Sequence, residues 1–251
     1  MKLIILASGK GSRLNKLTKK KPKCLVNVLN KPILSYLTPS FNLFTQVIFV
    51  VGYKSDKIKA YLRNYSNLTF VNNLNFCKTN MVESLFLAKD YINDDVIISY
   101  SDIIFDLNIL KELRQNKYST IPIYKNWLSL WQKRMNKNEI IKDAEDLKIK
   151  NKKITSIGGK ILKVFPQYQF MGILKLNKND FKKLYKFYLS INDKSIDLTS
   201  FLNESIRNKI LNLHYLQTTR EWIEIDSEKD LCVAEKILKS NSLTDNNTQQ
   251  F

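Results

Sequence analysis

Along the first hundred residues, short apolar runs alternate with longer stretches whose apolar positions recur at helical spacing. Leu3–Ala7 carries no polar interruption and reads as a strand buried on both faces. Pro32–Leu37 opens a helix, Val47–Val51 is a second strand, and Ser55–Leu62 a short helix. Leu68–Val71 reads as a third strand, Asn80–Tyr91 as a helix and Val96–Ser99 as a fourth strand. This order predicts an α/β architecture: a mostly parallel sheet with helices on both faces. Ligands of such sheets bind beyond the carboxyl ends of the strands. The loop after the first strand and Asp102 after the fourth both fall on that edge.

The second half is less regular. Thr120–Tyr124 reads as a strand, and the mixed, polar stretch Trp127–Lys142 as an insertion spanning about residues 125–145. Ala144–Ile149 and Lys153–Ile157 alternate and suggest a hairpin turning at Asn151-Lys152, without the Asn-Gly pair that favours tight turns. Phe170–Leu176 is another buried strand, followed by helices over Lys178–Leu189 and Leu198–Lys209. Trp222–Ile225 closes the strands and Glu228–Lys239 the helices; residues 240–251 read as a polar, frayed tail. With no repeat or linker in 1–239, one domain is expected.

Composition narrows the classes. Hydrophobic residues make up 44% of the 251, enough for a sizeable core. No apolar run approaches the ~18 residues of a membrane span, and Leu3–Ala7 is too short for a signal peptide. The expectation is a cytoplasmic protein with no membrane partner. Cys24, Cys77 and Cys232 are scattered, so no disulfide framework or zinc motif is indicated, and His214 is the sole histidine. The net charge of +18 invites a nucleic-acid reading, but Lys is spread along the chain and no base-stacking aromatic pattern accompanies it. A basic surface equally steers a small phosphorylated substrate.

The chemistry concentrates in Leu3–Leu34, where an apolar strand delivers the chain into the loop Ser8-Gly9-Lys10-Gly11. Backbone N–H groups can approach phosphates where Gly9 and Gly11 lack side chains, and cations supply countercharge. Leu14 stands where a dinucleotide fingerprint needs its third glycine, and no Gly-Lys-Ser/Thr follows, so neither that fold nor a P-loop fits. Arg13 can fork onto triphosphate oxygens. Lys23, fixed by Pro22, can place a point charge between two phosphates. The run Lys19-Lys20-Lys21 reads as a solvated charge cluster.

With Arg13-Leu14, Leu17-Thr18, Pro22-Lys23 and Lys31-Pro32 following Gly9 and Gly11, this segment resembles the signature of the nucleotidyltransferases that activate sugar phosphates and choline phosphate. Ser8 and Asn15-Lys16 depart from the usual pattern without removing a glycine or a charge. The resemblance implies a glycosyltransferase-A-like, Rossmann-like fold and Mg²⁺ bound by Asp102 and Asp226. Ser101 stands where the family usually has Gly, and Asp226 lies in Trp222-Ile223-Glu224-Ile225-Asp226, similar to the choline-phosphate branch. Read without the resemblance, either Asp could cap the helix that follows it. For the nucleotide, the resemblance implies a pocket of Leu6, Ala7, Ser8, Gly9, Gly11, Gly52, Tyr53, Thr79, Asn80 and Ser84. Asn80 with Glu83 also reads as a capping-box start. Around the acceptor it places Glu145, Met171, Asp197, Trp222 and Glu224, where carboxylates could face an ammonium group and Trp222 or Tyr168 could add a cation–π contact.

The implied reaction joins CTP to a small amine-bearing phosphorylated acceptor (phosphocholine-, phosphonate- or phosphoglutamine-like, of the kind used in capsule decoration) and releases pyrophosphate. The implied catalytic set is Lys23, Arg13, Asp102 and Asp226. A UTP- or dTTP-dependent sugar-1-phosphate transferase is the alternative within the class. A basic nucleic-acid-binding module or a non-catalytic regulator is the alternative outside it.

Overall fold

A computed structural model describes residues 1–161 and 164–247, with side chains through Ser240. The apolar runs of the first half form β1 (Lys2–Ala7), a ribbon of β2 (Asn27–Val28) and β3 (Lys31–Pro32), β4 (Gln46–Val51), α1 (Ser55–Tyr61), β5 (Leu68–Asn72), α2 (Met81–Leu87) and β6 (Val96–Tyr100). The order in the sheet is β6–β1–β4–β5, all parallel. β1 lies inside this sheet, and alternation sorts its side chains: Leu3, Ile5 and Ala7 enter one apolar cluster, Ile4 and Leu6 the other. β4 repeats the division with Val47, Phe49 and Val51 against Ile48 and Val50. Burial on both faces is why neither strand has a polar alternation to read. Pro32–Leu37, expected to open a helix, makes only a 3₁₀ turn over Ile33–Tyr36.

After β6 come β7 (Ile103–Phe105), α3 (Asn108–Gln115), β8 (Thr120–Tyr124), α4 (Trp127–Trp131), α5 (Lys137–Asp143), β9 (Glu145–Lys150), β10 (Lys153–Lys160), β11 (Gln169–Phe170) and β12 (Ile173–Leu176). The chain ends through α6 (Lys178–Ser190), α7 (Leu198–Arg207), β13 (His214–Thr218), β14 (Trp222–Glu224) and α8 (Glu228–Asn247). β12 extends the sheet antiparallel to β6, β8 runs antiparallel to β11 and β12, and β13 pairs parallel with β8. The result is the expected mixed, mostly parallel α/β sheet. Helices cover both faces: α1 and α3 feed one apolar cluster, and α2, α6 and α7 the other.

Three differences from the sequence reading have local causes. The expected strand Phe170–Leu176 breaks at Gly172, whose φ of +72° turns its carbonyl onto the Tyr100 N–H at 2.9 Å. The Tyr100 ring lies so close that an added Cβ would come within 2.7 Å of it. The stretch expected as a polar insertion folds into α4 and α5, with Trp127, Leu130, Trp131, Arg134 and Ile140 buried. The closing helix continues to Asn247, past the expected end at Lys239; residues 248–251 of the expected tail lie outside the described residues. The hairpin turn is where it was expected: Asn151 and Lys152 both take left-handed φ values, 51° and 60°, as a two-residue turn of this hand requires.

Candidate active site

The site is built from the carboxyl edge of the parallel strands. β1 ends at Ala7 and the chain turns through Gly9 and Gly11 into a loop over residues 12–18. At Gly11 φ is +65°, and an added Cβ would lie 2.8 Å from the Cβ of Lys23. That missing side chain lets the loop close on Lys23. At Gly9 an added Cβ would meet nothing within 4 Å, so its backbone faces open space. Thr18 Oγ1 donates to the Gly11 carbonyl at 3.1 Å, tying the far end of the loop back to its glycine.

Asp102 follows β6, and the next strand, β7, pairs antiparallel with β14: Ile103 opposite Glu224, Phe105 opposite Trp222. The Ile225 N–H then donates to the Asp102 carbonyl at 3.0 Å. This small ribbon carries Glu224 and Asp226 to Asp102 across more than a hundred residues of chain. Among the described residues, Asp102, Glu224 and Asp226 form an acidic trio with one carboxylate oxygen from each lying within 4.8 Å of the others. Lys23 Nζ bonds Asp102 Oδ2 at 2.6 Å and also bonds Asp226 Oδ1. Arg13 Nη2 reaches Asp226 Oδ2 at 2.9 Å, with Asp143 3.9 Å from Nη1. Asp102 Oδ1 is buried with no hydrogen-bond partner among the described residues.

The charges tune one another. Burial works against the Lys23 ammonium, but Asp102, Asp226 and Glu224 outweigh it and hold its pKa above the usual lysine value. Burial pushes Glu224 up to about 8, with the charges of Asp226 and Asp102 adding to it and Lys23 and Arg134 opposing. Asp226 does not cap the helix after it. Ser227 does so, its Oγ accepting from the Asp230 N–H at 3.3 Å, while Asp230 reaches back to accept from the Asp226 and Ser227 N–H groups at 2.9 and 2.7 Å, and this leaves the Asp226 carboxylate for Lys23 and Arg13. Asp102 is no cap either; the Asn108 N–H at the start of α3 donates to Asp106 Oδ1 at 2.8 Å.

Two cavities meet at the trio. One, of about 270 Å³, is lined by Leu6, Ser8, Gly9, Gly11, Arg13, Lys23, Thr79, Asn80 and Ser84, with Phe76 and the acidic trio. Ala7, Gly52 and Tyr53, also expected there, do not line it. An added Cβ at Gly52 would lie 2.8 Å from the Ser8 carbonyl, and the Tyr53 hydroxyl donates to the Thr18 carbonyl at 3.0 Å, bracing the basic loop. Asn73 joins the wall from inside, donating to Thr79 Oγ1 and Ser84 Oγ, both at 3.0 Å. Asn80 caps α2 through the Met81 N–H at 2.8 Å, but the reciprocal half of the expected box does not form, because Glu83 accepts from the Tyr188 hydroxyl instead.

The second cavity, about 190 Å³, is lined by Glu145, Met171, Asp197, Trp222 and Glu224, and by Tyr100, Trp131, Asp143, Phe170 and Thr199. Burial raises the Glu145 pKa, with Asp197 and Asp143 adding to it, while Thr199 Oγ1 donates to Glu145 Oε1 at 2.8 Å and opposes the rise. Asp197 caps α7 through the Ser200 N–H at 2.8 Å; these bonds outweigh burial and hold its pKa low. Trp222 spends its indole N–H on the Met171 carbonyl at 3.0 Å, and Tyr168 spends its hydroxyl on Gln217 at 2.9 Å. Tyr168 does not line the cavity. The sequence reading missed Trp131 and Arg134, buried in the segment taken as a polar insertion; the pair Trp127–Trp131 at one-turn spacing was the available signal.

The chain matches the nucleotidyl transferase family over residues 2–240. It is 33% identical to the CTP:phosphoglutamine cytidylyltransferase of Campylobacter jejuni, over 92% of this chain and 98% of that one. It is 24% identical to the choline-phosphate cytidylyltransferase of Streptococcus pneumoniae, over 96% of this chain and all of that one. A solved structure of CTP:phosphocholine cytidylyltransferase from Streptococcus pneumoniae shares the fold, with a TM-score of 0.75 at 22% identity over 94% of this chain and 98% of that one.

Proposed function

The chain belongs to the nucleotidyl transferase family, and we propose that it transfers the cytidylyl group of CTP to a small, amine-bearing phosphorylated acceptor. The observation that carries this reading is the acidic trio with Lys23 at the seam between a glycine- and hydroxyl-lined cavity and an acidic one. CTP would occupy the first, with Gly9 and Gly11 against its phosphates and Thr79, Asn80 and Ser84 toward its nucleoside. The acceptor would occupy the second, its phosphate toward Lys23 and its ammonium group toward Glu145 and Asp143. The names of the two cytidylyltransferase relatives support CTP over UTP or dTTP.

The residues present fit a magnesium ion: the donors are all carboxylate oxygens, and Asp102 Oδ1 is buried with no hydrogen-bond partner among the described residues. Asp102 and Asp226 would hold it, with Glu224 beside them, and the ion would supply charge neutralisation to the phosphate oxygens. The remaining work falls to this chain. An acceptor phosphate oxygen, already ionised near neutral pH, attacks the α-phosphorus; the new P–O bond forms as the bond to the β-phosphate bridge breaks, and pyrophosphate departs with that electron pair. No side chain has to remove a proton. Lys23 neutralises charge between the two phosphates, Arg13 leaves Asp226 to grip the triphosphate, and the two cavities hold the reactants in line.

The test is pyrophosphate release with Mg²⁺, each nucleoside triphosphate and a panel of phosphorylated acceptors. The expected result is release from CTP with an amine-bearing acceptor. Release from UTP or dTTP with hexose 1-phosphates would replace this reading with the sugar-nucleotide one. Salt-sensitive RNA binding with no pyrophosphate from any pair would remove the enzymatic reading altogether.

A further inference from the structure

Arg134 sits between α4 and α5 with its side chain 1% exposed, a charged group almost wholly removed from water. Its Nη1 donates to Asp230 Oδ1 at 2.8 Å and lies 3.4 Å from the Glu224 carbonyl. The other oxygen of Asp230 accepts from the Asp226 and Ser227 N–H groups. Both peptide groups that flank Asp226 are therefore held through Asp230, and the Glu224–Ile225 peptide, one residue upstream, is held directly. The guanidinium stacks over Trp131, 4.9 Å from the ring centre, and its Nε and Nη2 have no hydrogen-bond partner among the described residues. A buried cation with two idle donors is a costly way to stabilise a fold, since an apolar side chain of similar volume would fill the space without that desolvation.

We infer that Arg134 is a positioning residue: by clamping Asp230 and the Glu224 carbonyl, it holds the Asp226 carboxylate at the acidic trio. The inference rests on the trio being the metal site of the proposed reaction. Its consequence is a link between two walls. The α4–α5 segment supplies Trp131 and Asp143 to the acceptor cavity and, through Arg134, sets the carboxylate on the seam. Residues around a metal site that orient its ligands commonly shift metal affinity or activity by about 10–100-fold when removed.

The experiment has two readouts on the full chain. Amide hydrogen exchange at Asp226 and Ser227 reports the clamp, and Mn²⁺ affinity, with the ion alone and with CTP, reports the trio. Arg134→Met is expected to lower exchange protection at those two amides and to weaken Mn²⁺ binding on the order of tenfold or more. Arg134→Lys is expected to recover part of both. Leu110→Ala, a core truncation on α3 outside both cavities, is expected to lower stability and leave both readouts near wild type. Should Arg134→Met not fold, Asp230→Asn carries the same test, because its amide nitrogen would face Arg134 Nη1 donor to donor. Unchanged protection, unchanged Mn²⁺ affinity, or an equal loss in Leu110→Ala would overturn the inference. Wild-type protein that binds no Mn²⁺ under either condition would instead remove the metal reading of the trio, and the exchange arm would still decide whether Arg134 holds Asp226.

Discussion

The two cavities share Arg13, Met81, Tyr100, Glu224 and Asp226, yet they are made of different material. The first cavity, proposed for the nucleotide, is walled by glycine and hydroxyl groups, and at the seam it sets the cations Arg13 and Lys23 against the acidic trio. The second cavity, proposed for the acceptor, gathers Asp143, Glu145, Asp197, Glu224 and Asp226 around Arg13, its single cation among the described residues. The first sets two cations against three carboxylates and the second one cation against five, so a polyanion is opposed less by the first, and a cationic or zwitterionic molecule is favoured more by the second. In the proposed reaction, charge would favour opposite sides of one seam for the two reactants, with Arg13 the cation common to both cavities.

Substitutions can break that sorting at the seam or on one side of it. The largest effect belongs to the seam: Asp102→Asn or Lys23→Ala is expected to lower turnover by about 10²–10³ while the far-UV spectrum stays native. Pyrophosphate release checks this, and a wild-type rate in either variant would remove that residue from the reaction. On the acceptor side, Glu145→Gln keeps an acceptor for the Thr199 hydroxyl but loses the charge. The acceptor KM should rise on the order of tenfold, from the ~1.5–3 kcal/mol of a hydrogen bond to a charged group, with the CTP KM unmoved. On the nucleotide side, Gly11→Ala meets both a left-handed φ of +65° and the Lys23 Cβ. A conformational cost of about 1–2 kcal/mol should raise the CTP KM several-fold and leave the acceptor KM alone. A variant that moved both constants equally would show that the two cavities act as one.

The smallest expected effect is a pH dependence centred on the seam. Glu224 is held protonated from the ordinary glutamate value of 4.5 up to about 8. The folded state then binds more protons than the unfolded chain across that window, so this carboxyl makes stability fall as pH rises through it. Glu224→Gln is expected to flatten the fall, read from urea midpoints in metal-free buffer at about pH 5 and about pH 9. An unchanged slope would show that Glu224 ionises freely beside Asp102 and Asp226.

The same division separates what was legible from what was not. The nucleotide side is largely one continuous stretch: β1, Gly9, Gly11, Arg13 and Lys23 lie within 22 residues, and their order in the sequence is their order in space. The acceptor side is assembled from scattered short elements. β7, which supplies Ile103, has three residues, too few for a periodicity to read. Arg134 looked like one more cation in a polar insertion; its burial depends on Trp131, Asp230 and the Glu224 carbonyl, which no local pattern joins. Trp222, expected at the acceptor, lines the second cavity with its indole N–H held by the Met171 carbonyl.

Taken by itself, the sequence determined which runs become doubly buried strands, where glycine lets the first loop close, and which cations follow it, because each depends on neighbours a few residues away. Tertiary structure alone decided that Asp102, Glu224 and Asp226 meet. Their approach needs the register of β7 against β14 and a cation from residue 23, 203 positions before Asp226, to offset their mutual repulsion. Such a balance of desolvated charges exists only once the chain has brought them together.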